Sequence, residues 1–277
     1  MGRVRTILLF ATFALLAPAQ TLEIYSELQR PDPFGDIVAL DRSPSPREII
    51  SPATARNSYV SFHIAVSVPQ GQTFFLYTQA NPPGIVSMRL YKEQFVQQGT
   101  QWIPDTLTPV ASPTFGVIPD GQANITGQTT RDYLLDIWTP RDAEVGRRVR
   151  VEILLKCGTW YVTPFELRIM DAIVPSVGNP ISAPLPSLDE PADAAAVHSL
   201  AAHLSGLLEW NPVDNPRTVR EVLRRNAQQD MALAAYEPTP QVWLRAATQI
   251  VNGWTFFPTG AEWYLRIRDL LISRPRP

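Results

Sequence analysis

The chain has 277 residues, of which 24 are lysine or arginine and 26 are aspartate or glutamate, so its formal net charge is −2. This mildly acidic balance excludes the basic footprint on which binding to nucleic acids and anionic lipids depends. Its single cysteine, Cys157, excludes a disulfide within the chain. Alternating apolar residues lead up to Cys157, and this pattern predicts a thiol that is buried and slow to react.

Residues 1–19 have the features of a cleavable secretory signal peptide. Arg3 and Arg5 form a charged start, an apolar run covers residues 7–16, and Ala-Pro-Ala at 17–19 is a small-residue cleavage site. The alternative is an uncleaved anchor helix, which needs about 20 apolar residues. The run here is shorter, so the sequence predicts export to the periplasm or the extracellular space, with no membrane span after cleavage.

Residues 20–46 contain proline motifs without periodicity, and they predict an extended lead-in. Residues 59–68 then alternate apolar and polar side chains, which is the period of a strand with one buried face. Six further strands are predicted at 73–78, 85–91, 102–107, 133–138, 148–155 and 160–170. Short strands separated by turns predict an antiparallel, immunoglobulin-like β-sandwich over residues 47–174.

The pattern changes after Val174. The segment 175–187 contains four prolines and predicts a linker, because proline disfavours both helix and sheet. The period then becomes helical, and Asn215 followed by Pro216 is typical of a helix start. The sequence therefore predicts a fold of mainly β plus α class, in which the sandwich is followed by a small helical domain over 188–277.

Three stretches of the sandwich resemble a known family. Residues 138–151 place a proline, an Asp-Ala pair and a glycine turn between two strands, residues 56–62 are similar to an early strand, and residues 158–161 are similar to a last hairpin. Together they resemble bacterial exported immunoglobulin-like β-sandwich domains, which occur as N-terminal accessory domains beside glycoside hydrolases. The usual catalytic barrel has about 250 residues. Far fewer follow the linker here, so the resemblance implies the fold without the barrel.

No metal site or cofactor is predicted. His198 and His203 are five residues apart on a predicted helix, about 140° around its axis, whereas a chelating pair is separated by four residues. His63 falls on the polar side of its strand and is expected to be solvated or hydrogen-bonded.

No catalytic residue is predicted either. Carboxylates on the predicted strands offer an imaginable acid and base pair for a hydrolase, which would need a cleft to desolvate the acid. These carboxylates are Asp132, Asp136, Glu152 and Glu166.

Trp138 and Trp160 are the predicted binding residues. Strand parity places Trp160 opposite the apolar side chains of its strand, and it places Trp138 outward beside Asp136. Exposed tryptophans on a sheet can stack on sugar rings or anchor a protein partner. The alternative is that the helical domain or the lead-in covers one or both rings.

These patterns predict an exported, non-catalytic binding or structural protein whose ligand is a protein or a cell-envelope glycan. The alternative is a glycan-active hydrolase with its site between the two domains. A pocket with two carboxylates would favour the hydrolase, and a flat sheet face with aromatic side chains would favour binding.

Overall fold

The computed structural model describes residues 20–27, 29–37, 53–174, 215–219, 221–222, 225–226 and 229. Ten strands lie in these ranges: β1 (Thr21–Ser26), β2 (Ala53–Arg56), β3 (Ser58–Ser67), β4 (Thr73–Asn81), β5 (Ser87–Gln98), β6 (Gln101–Val110), β7 (Thr114–Val117), β8 (Arg131–Thr139), β9 (Arg148–Cys157) and β10 (Thr159–Ile173).

The strands form two five-stranded sheets. The first sheet has the order β1-β3-β8-β5-β6, and all of its strand pairs are antiparallel. The second sheet has the order β2-β10-β9-β4-β7, and its β2–β10 pair is parallel. Each sheet contains one hairpin of consecutive long strands, β5–β6 and β9–β10 respectively.

The core lies between the sheets and follows from the period-two alternation. On β9 the side chains of Val149, Val151, Ile153 and Leu155 are fully buried, while the residues between them face outward. A slip of one residue would expose this whole set, so burial fixes the strand register. From the facing sheet, Phe62 packs against Phe165 of β10 with ring centroids 4.6 Å apart.

The predicted sandwich of two packed β-sheets is confirmed, and each of the seven predicted strands is present, although β5 continues seven residues beyond its predicted end at 91. Three strands were not predicted. These are β1, which lies within the predicted lead-in, and the four-residue strands β2 and β7. They are short, and their pairing is set by neighbours distant in sequence.

The predicted fold class is wrong in its second half, because the described chain is nearly all β and shows no helical domain. The described residues of segment 215–229 pack on the outward face of the first sheet instead. Val219 and Val222 are buried there in a cluster with Tyr91, Leu107 and Leu134. The helical spacing of apolar residues was expected to form the core of a separate domain. At Val219 and Val222 it forms a contact with the sheet instead.

The predicted signal peptide lies outside the described residues, as do the domain limits at 46/47 and 187/188. They remain predictions. His198, His203 and the other predicted helices of 188–277 lie outside as well.

A buried ion pair joins Arg225 to Asp136 of the first sheet. The guanidinium of Arg225 donates to both carboxylate oxygens of Asp136, at 2.5 and 3.1 Å, and it lies 3.7 Å from the ring centroid of Tyr59. The side chains of the pair are 3% and 1% exposed. Asn226 extends the contact by donating to Ser61 Oγ at 2.9 Å. Bidentate geometry in a dry site makes this contact specific in orientation.

Arg225→Met should lower the free energy of unfolding by about 3–5 kcal/mol, because it leaves the Asp136 carboxylate buried without its counter-charge. The matched control is Arg148→Met, which breaks an ion pair with Glu166 whose side chains are 65% and 45% exposed and should cost about 0–1 kcal/mol. Denaturant titrations of both variants measure the difference. Equal small losses would show that segment 215–229 does not pack as described.

Candidate functional site

The outward face of the second sheet has an exposed cluster of rings and aliphatic side chains. We call Phe75, Tyr77, Phe115, Trp160 and Val162 the aromatic patch. Phe115 is 66% exposed, Trp160 50% and Val162 48%. A soluble protein rarely leaves so many large apolar side chains together in water, so this face is a candidate contact surface.

Strand register brings the patch together. Phe115 lies opposite Phe75, and both Phe75 and Trp160 lie opposite Lys156. The four residues therefore form one row across β7, β4, β9 and β10. On β4 the neighbouring Phe74 points inward and is fully buried, because successive side chains of a strand face opposite sides.

The rings of the row contact one another. Phe75 meets Phe115 at a centroid distance of 5.4 Å and Trp160 at 5.7 Å, both nearly edge to face, and the Lys156 ammonium lies 5.2 Å from the Trp160 centroid. Edge-to-face pairs are a favoured aromatic geometry, so these contacts order the rings before any partner binds.

Gly116 allows the edge strand β7 to hold Phe115 in this row. A Cβ atom at Gly116 would lie only 2.4 Å from Cζ of the buried Phe74 ring. Glycine is thus needed for the close approach of this strand to the core.

The same face carries more positive than negative charge along β9 and β10. Arg150 binds Glu152 at 2.7 Å and Arg148 binds Glu166 at 2.6 Å, while Arg168 and Lys156 add two further cations. Hydrogen bonds from Gln79 and Arg150 hold the pKa of Glu152 below its ordinary value. The Glu152 carboxylate therefore favours its ionised form as the partner of Arg150.

The two predicted binding tryptophans lie on opposite sides of the sandwich. Trp160 is in the aromatic patch, whereas Trp138 is on the first sheet, half-buried, with its ring centroid 4.6 Å from that of Tyr59. The structure thus places Trp160 in an exposed surface and separates Trp138 from it. The outward position of Phe75 was predictable, because it alternates with the inward Phe74 on the same strand. Phe115 was not predictable, because its strand has only four residues.

Besides its apolar cluster, the outward face of the first sheet has buried polar side chains. His63 Nδ1 and Glu93 Oε1 are 2.6 Å apart, and both side chains are fully inaccessible. His63 was expected to be solvated or hydrogen-bonded, and of these two alternatives it is hydrogen-bonded and not solvated. Asp132 is also buried, and this burial raises the pKa of its carboxyl well above the ordinary value, with further increases from the negative charges of Glu93 and Asp32.

The four carboxylates considered for a hydrolase do not form one site. Asp132 and Asp136 lie on the outward face of the first sheet, and Glu152 and Glu166 lie on the opposite side of the sandwich. Asp132 has a different carboxylate near it, that of Glu93. Which carboxylates lie close together depends on which strands are neighbours, and the alternation within each strand does not reveal that order.

Cys157 is less buried than predicted. Its side chain packs at the margin of the core, as its parity required, but it is half-exposed. Its Sγ donates to Oε1 of Gln72 at 3.2 Å. The position at the end of β9, next to the Gly158 turn, explains the exposure.

Among the described residues, no group of three or more His, Cys, Asp or Glu side chains is placed to hold a metal ion. Within the same ranges, no helix has the length and apolar character needed to cross a bilayer.

No protein-family model and no curated protein matches the chain. Among solved structures, it is weakly similar to a family 123 glycoside hydrolase from Clostridium perfringens, with a TM-score of 0.37 and 9% identity over 57% of this chain and 28% of that one. For PapD-like domain 7 of human CEP192, the TM-score is 0.25 and the identity 10%, over 62% and 98% of the two chains. For the C-terminal domain of the Streptococcus agalactiae AgI/II polypeptide BspA, the values are 0.28 and 9%, over 55% and 50%.

The chain thus spans less than a third of the hydrolase and half of the streptococcal domain. TM-scores below 0.5 assign neither a family nor a function. The resemblance to immunoglobulin-like domains holds at the level of two packed β-sheets, and an accessory role beside a hydrolase remains a prediction.

Asp132→Asn should become progressively more stable than the wild type as the pH rises. The folded wild type holds the Asp132 proton at pH values where the unfolded chain has released it, so wild-type stability falls as pH rises from about 4 towards the folded-state pKa. Asparagine has nearly the same shape and does not titrate. Denaturant titrations between about pH 4 and 8 measure the difference, with the exposed Asp142→Asn as control. A constant difference across this range would contradict the raised pKa.

Proposed function

We propose that this chain is an exported, non-catalytic binding protein whose aromatic patch docks on a protein partner. The supporting observation is the contrast between the two outward faces of the sandwich. The described residues of 215–229 pack on the first sheet, while the rings of the second sheet are exposed in the described chain. Rings that already contact one another lose little side-chain freedom on binding, which favours association.

The composition of the patch favours a protein over a glycan. The side chains around the rings are aliphatic, including Leu154, Val162 and Val117, and Lys156 is the charged group in the row. A glycan presents many hydroxyl groups, and burying them against aliphatic side chains without hydrogen bonds costs free energy. Protein interfaces, in contrast, have aromatic and apolar centres with charged residues at the rim.

The net positive charge on the outward face of the second sheet indicates the charge of the partner surface. Lys156, Arg148, Arg150 and Arg168 outnumber the carboxylates of Glu152 and Glu166 along β9 and β10. A partner surface with an apolar centre and an acidic margin would complement this arrangement, and such complementarity mainly raises the association rate.

The proposed export rests on the N-terminal sequence alone, with its two arginines, apolar run and small-residue site within residues 1–19. The periplasm and the extracellular space are equally consistent with it.

With the full chain as bait, a protein partner can be captured from the cell-envelope fraction. Replacing both Phe115 and Trp160 by alanine should weaken this binding by roughly thirtyfold or more, because central aromatic residues dominate interface energetics at about 2 kcal/mol or more. The same variant should unfold within about 1 kcal/mol of the wild type, since both rings are mostly exposed. Binding curves and denaturant titrations of the full chain measure the two effects.

The control is Phe34→Ala, which removes an exposed ring outside the patch and should leave capture unchanged. A crosslinker installed at position 115 should then map to a protein surface with acidic residues at its edge. Capture that survives the double substitution, or a crosslinked species that is a glycan, would refute the proposed partner.

A further inference from the structure

Strand β10 has a long stretch of backbone edge with which no other described strand pairs. β10 has 15 residues, but it pairs with β2, the last strand on that side of the sheet, only at Arg168, Ile169 and Ile173. On its other side it pairs with β9 along Thr159–Arg168. Residues 160–167 therefore have one paired and one open side in the described chain. At about 3.3 Å per residue, this open edge is roughly 25 Å long.

The even-numbered residues of this stretch direct their backbone groups to the open side. The N–H of Ile169 donates to the carbonyl of Arg147 at 2.9 Å, and the Ile169 carbonyl accepts from the N–H of Gly146 at 2.8 Å, so both groups of Ile169 point to the β9 side. Successive residues of a strand direct these groups to opposite sides. The N–H and C=O groups of Trp160 and Val162 are thus directed away from β9.

Pro164 supports this orientation independently. A proline has no N–H to donate within a sheet, so it occurs where its nitrogen faces an open edge. Pro164 lies within β10, opposite Glu152 of β9, and it is even-numbered like Trp160 and Val162. The strand therefore tolerates a missing N–H on its open side, because no described neighbour needs that donor.

The side chains along this edge are exposed on both faces of the sheet. Trp160 and Val162 belong to the aromatic patch and are 50% and 48% exposed, while Tyr161 points to the opposite face and is 43% exposed. A strand that joins a sheet edge binds through main-chain hydrogen bonds, and its alternate side chains pack on both faces. Such a strand would cover all three of these side chains and extend the aromatic patch beyond β10.

We propose that the protein partner docks through an extended segment that adds to β10 as a further strand over residues 160–166. The inference rests on the proposed function, since it specifies how the partner reaches the aromatic patch. Apolar side chains of the added strand lie beside Trp160 and Val162. Its backbone binds the N–H and C=O groups that these two residues direct to the open side.

The charges near the far end of the edge indicate the chemistry of the segment. Arg150 of β9 lies opposite Glu166 of β10, and Arg148 lies opposite Arg168. Three cations against one carboxylate in these two rows favour acidic side chains on the added strand. A second copy of this chain would present the same arginines, so we expect a different protein with an apolar and acidic segment.

Fluorescence polarisation with labelled peptides and the full chain tests the proposal. One peptide has the sequence Val-Thr-Val-Thr-Glu-Thr-Glu, which places its valines and glutamates on one face of a strand. The other has the reverse order, because an added strand can run in either direction. We expect saturable binding of at least one peptide. Its analogue with lysine in place of both glutamates should bind roughly tenfold more weakly, because its charges repel the arginines.

Val162→Pro removes an N–H from the open side and should weaken peptide binding roughly tenfold more than the matched Val162→Ala, which shortens the side chain but keeps that donor. Pro164→Val supplies a new N–H on the same side and should strengthen binding. This second variant decides the question even where Val162→Pro fails to fold.

Three results would overturn the added strand: no saturable binding of either peptide, equal losses for Val162→Pro and Val162→Ala, or unchanged or weaker binding by Pro164→Val. Loss of envelope-fraction capture on replacing Phe115 and Trp160, combined with equal losses at Val162, would leave the proposed function standing and refute this mode of docking. Self-association of the full chain that Val162→Pro abolishes would identify a second copy as the occupant and also refute it.

Discussion

Arg225 and Asp136 form an ion pair that is almost entirely withdrawn from water, and this contact determines which face of the sandwich is covered. Two charges in a dry site are stable only together, because either one left alone carries a large desolvation cost. The pair therefore holds Arg225 against the first sheet, where Val219 and Val222 are also buried. The second sheet has no such cover in the described chain.

The two faces consequently differ in what they offer a partner. The aromatic patch offers apolar area on rings that contact one another, which suits a large complementary surface. The first sheet instead has buried polar side chains, and the described residues of 215–229 lie over part of its outward face, so it offers no comparable open surface there. Both depend on the same sandwich, since strand register places Phe115, Phe75 and Trp160 in one row and brings Glu93 near Asp132.

The sandwich was predictable because its strands alternate clearly, as residues 59–68 show. Trp160 was also placed correctly by parity alone. The position of segment 215–229 was not predictable, since a helical apolar period is the same whether the face packs on other helices or on a sheet. The Asp132–Glu93 proximity was missed for a related reason: β5 and β8 are neighbours only through a non-local sheet order. Phe115 was missed because four-residue strands have too little pattern.

Covalent footprinting of the intact chain with a photoactivated carbene, read by mass spectrometry, tests the contrast between the two faces most directly. Phe115 and Trp160 of the second sheet should be labelled strongly, whereas Tyr91 and Leu134 of the first sheet should be protected until the chain is unfolded. Equal labelling of both pairs in the native chain, or protection of Phe115 and Trp160, would contradict this contrast. The outward face of the first sheet would then not be the covered one, or that of the second sheet would not be open to a partner.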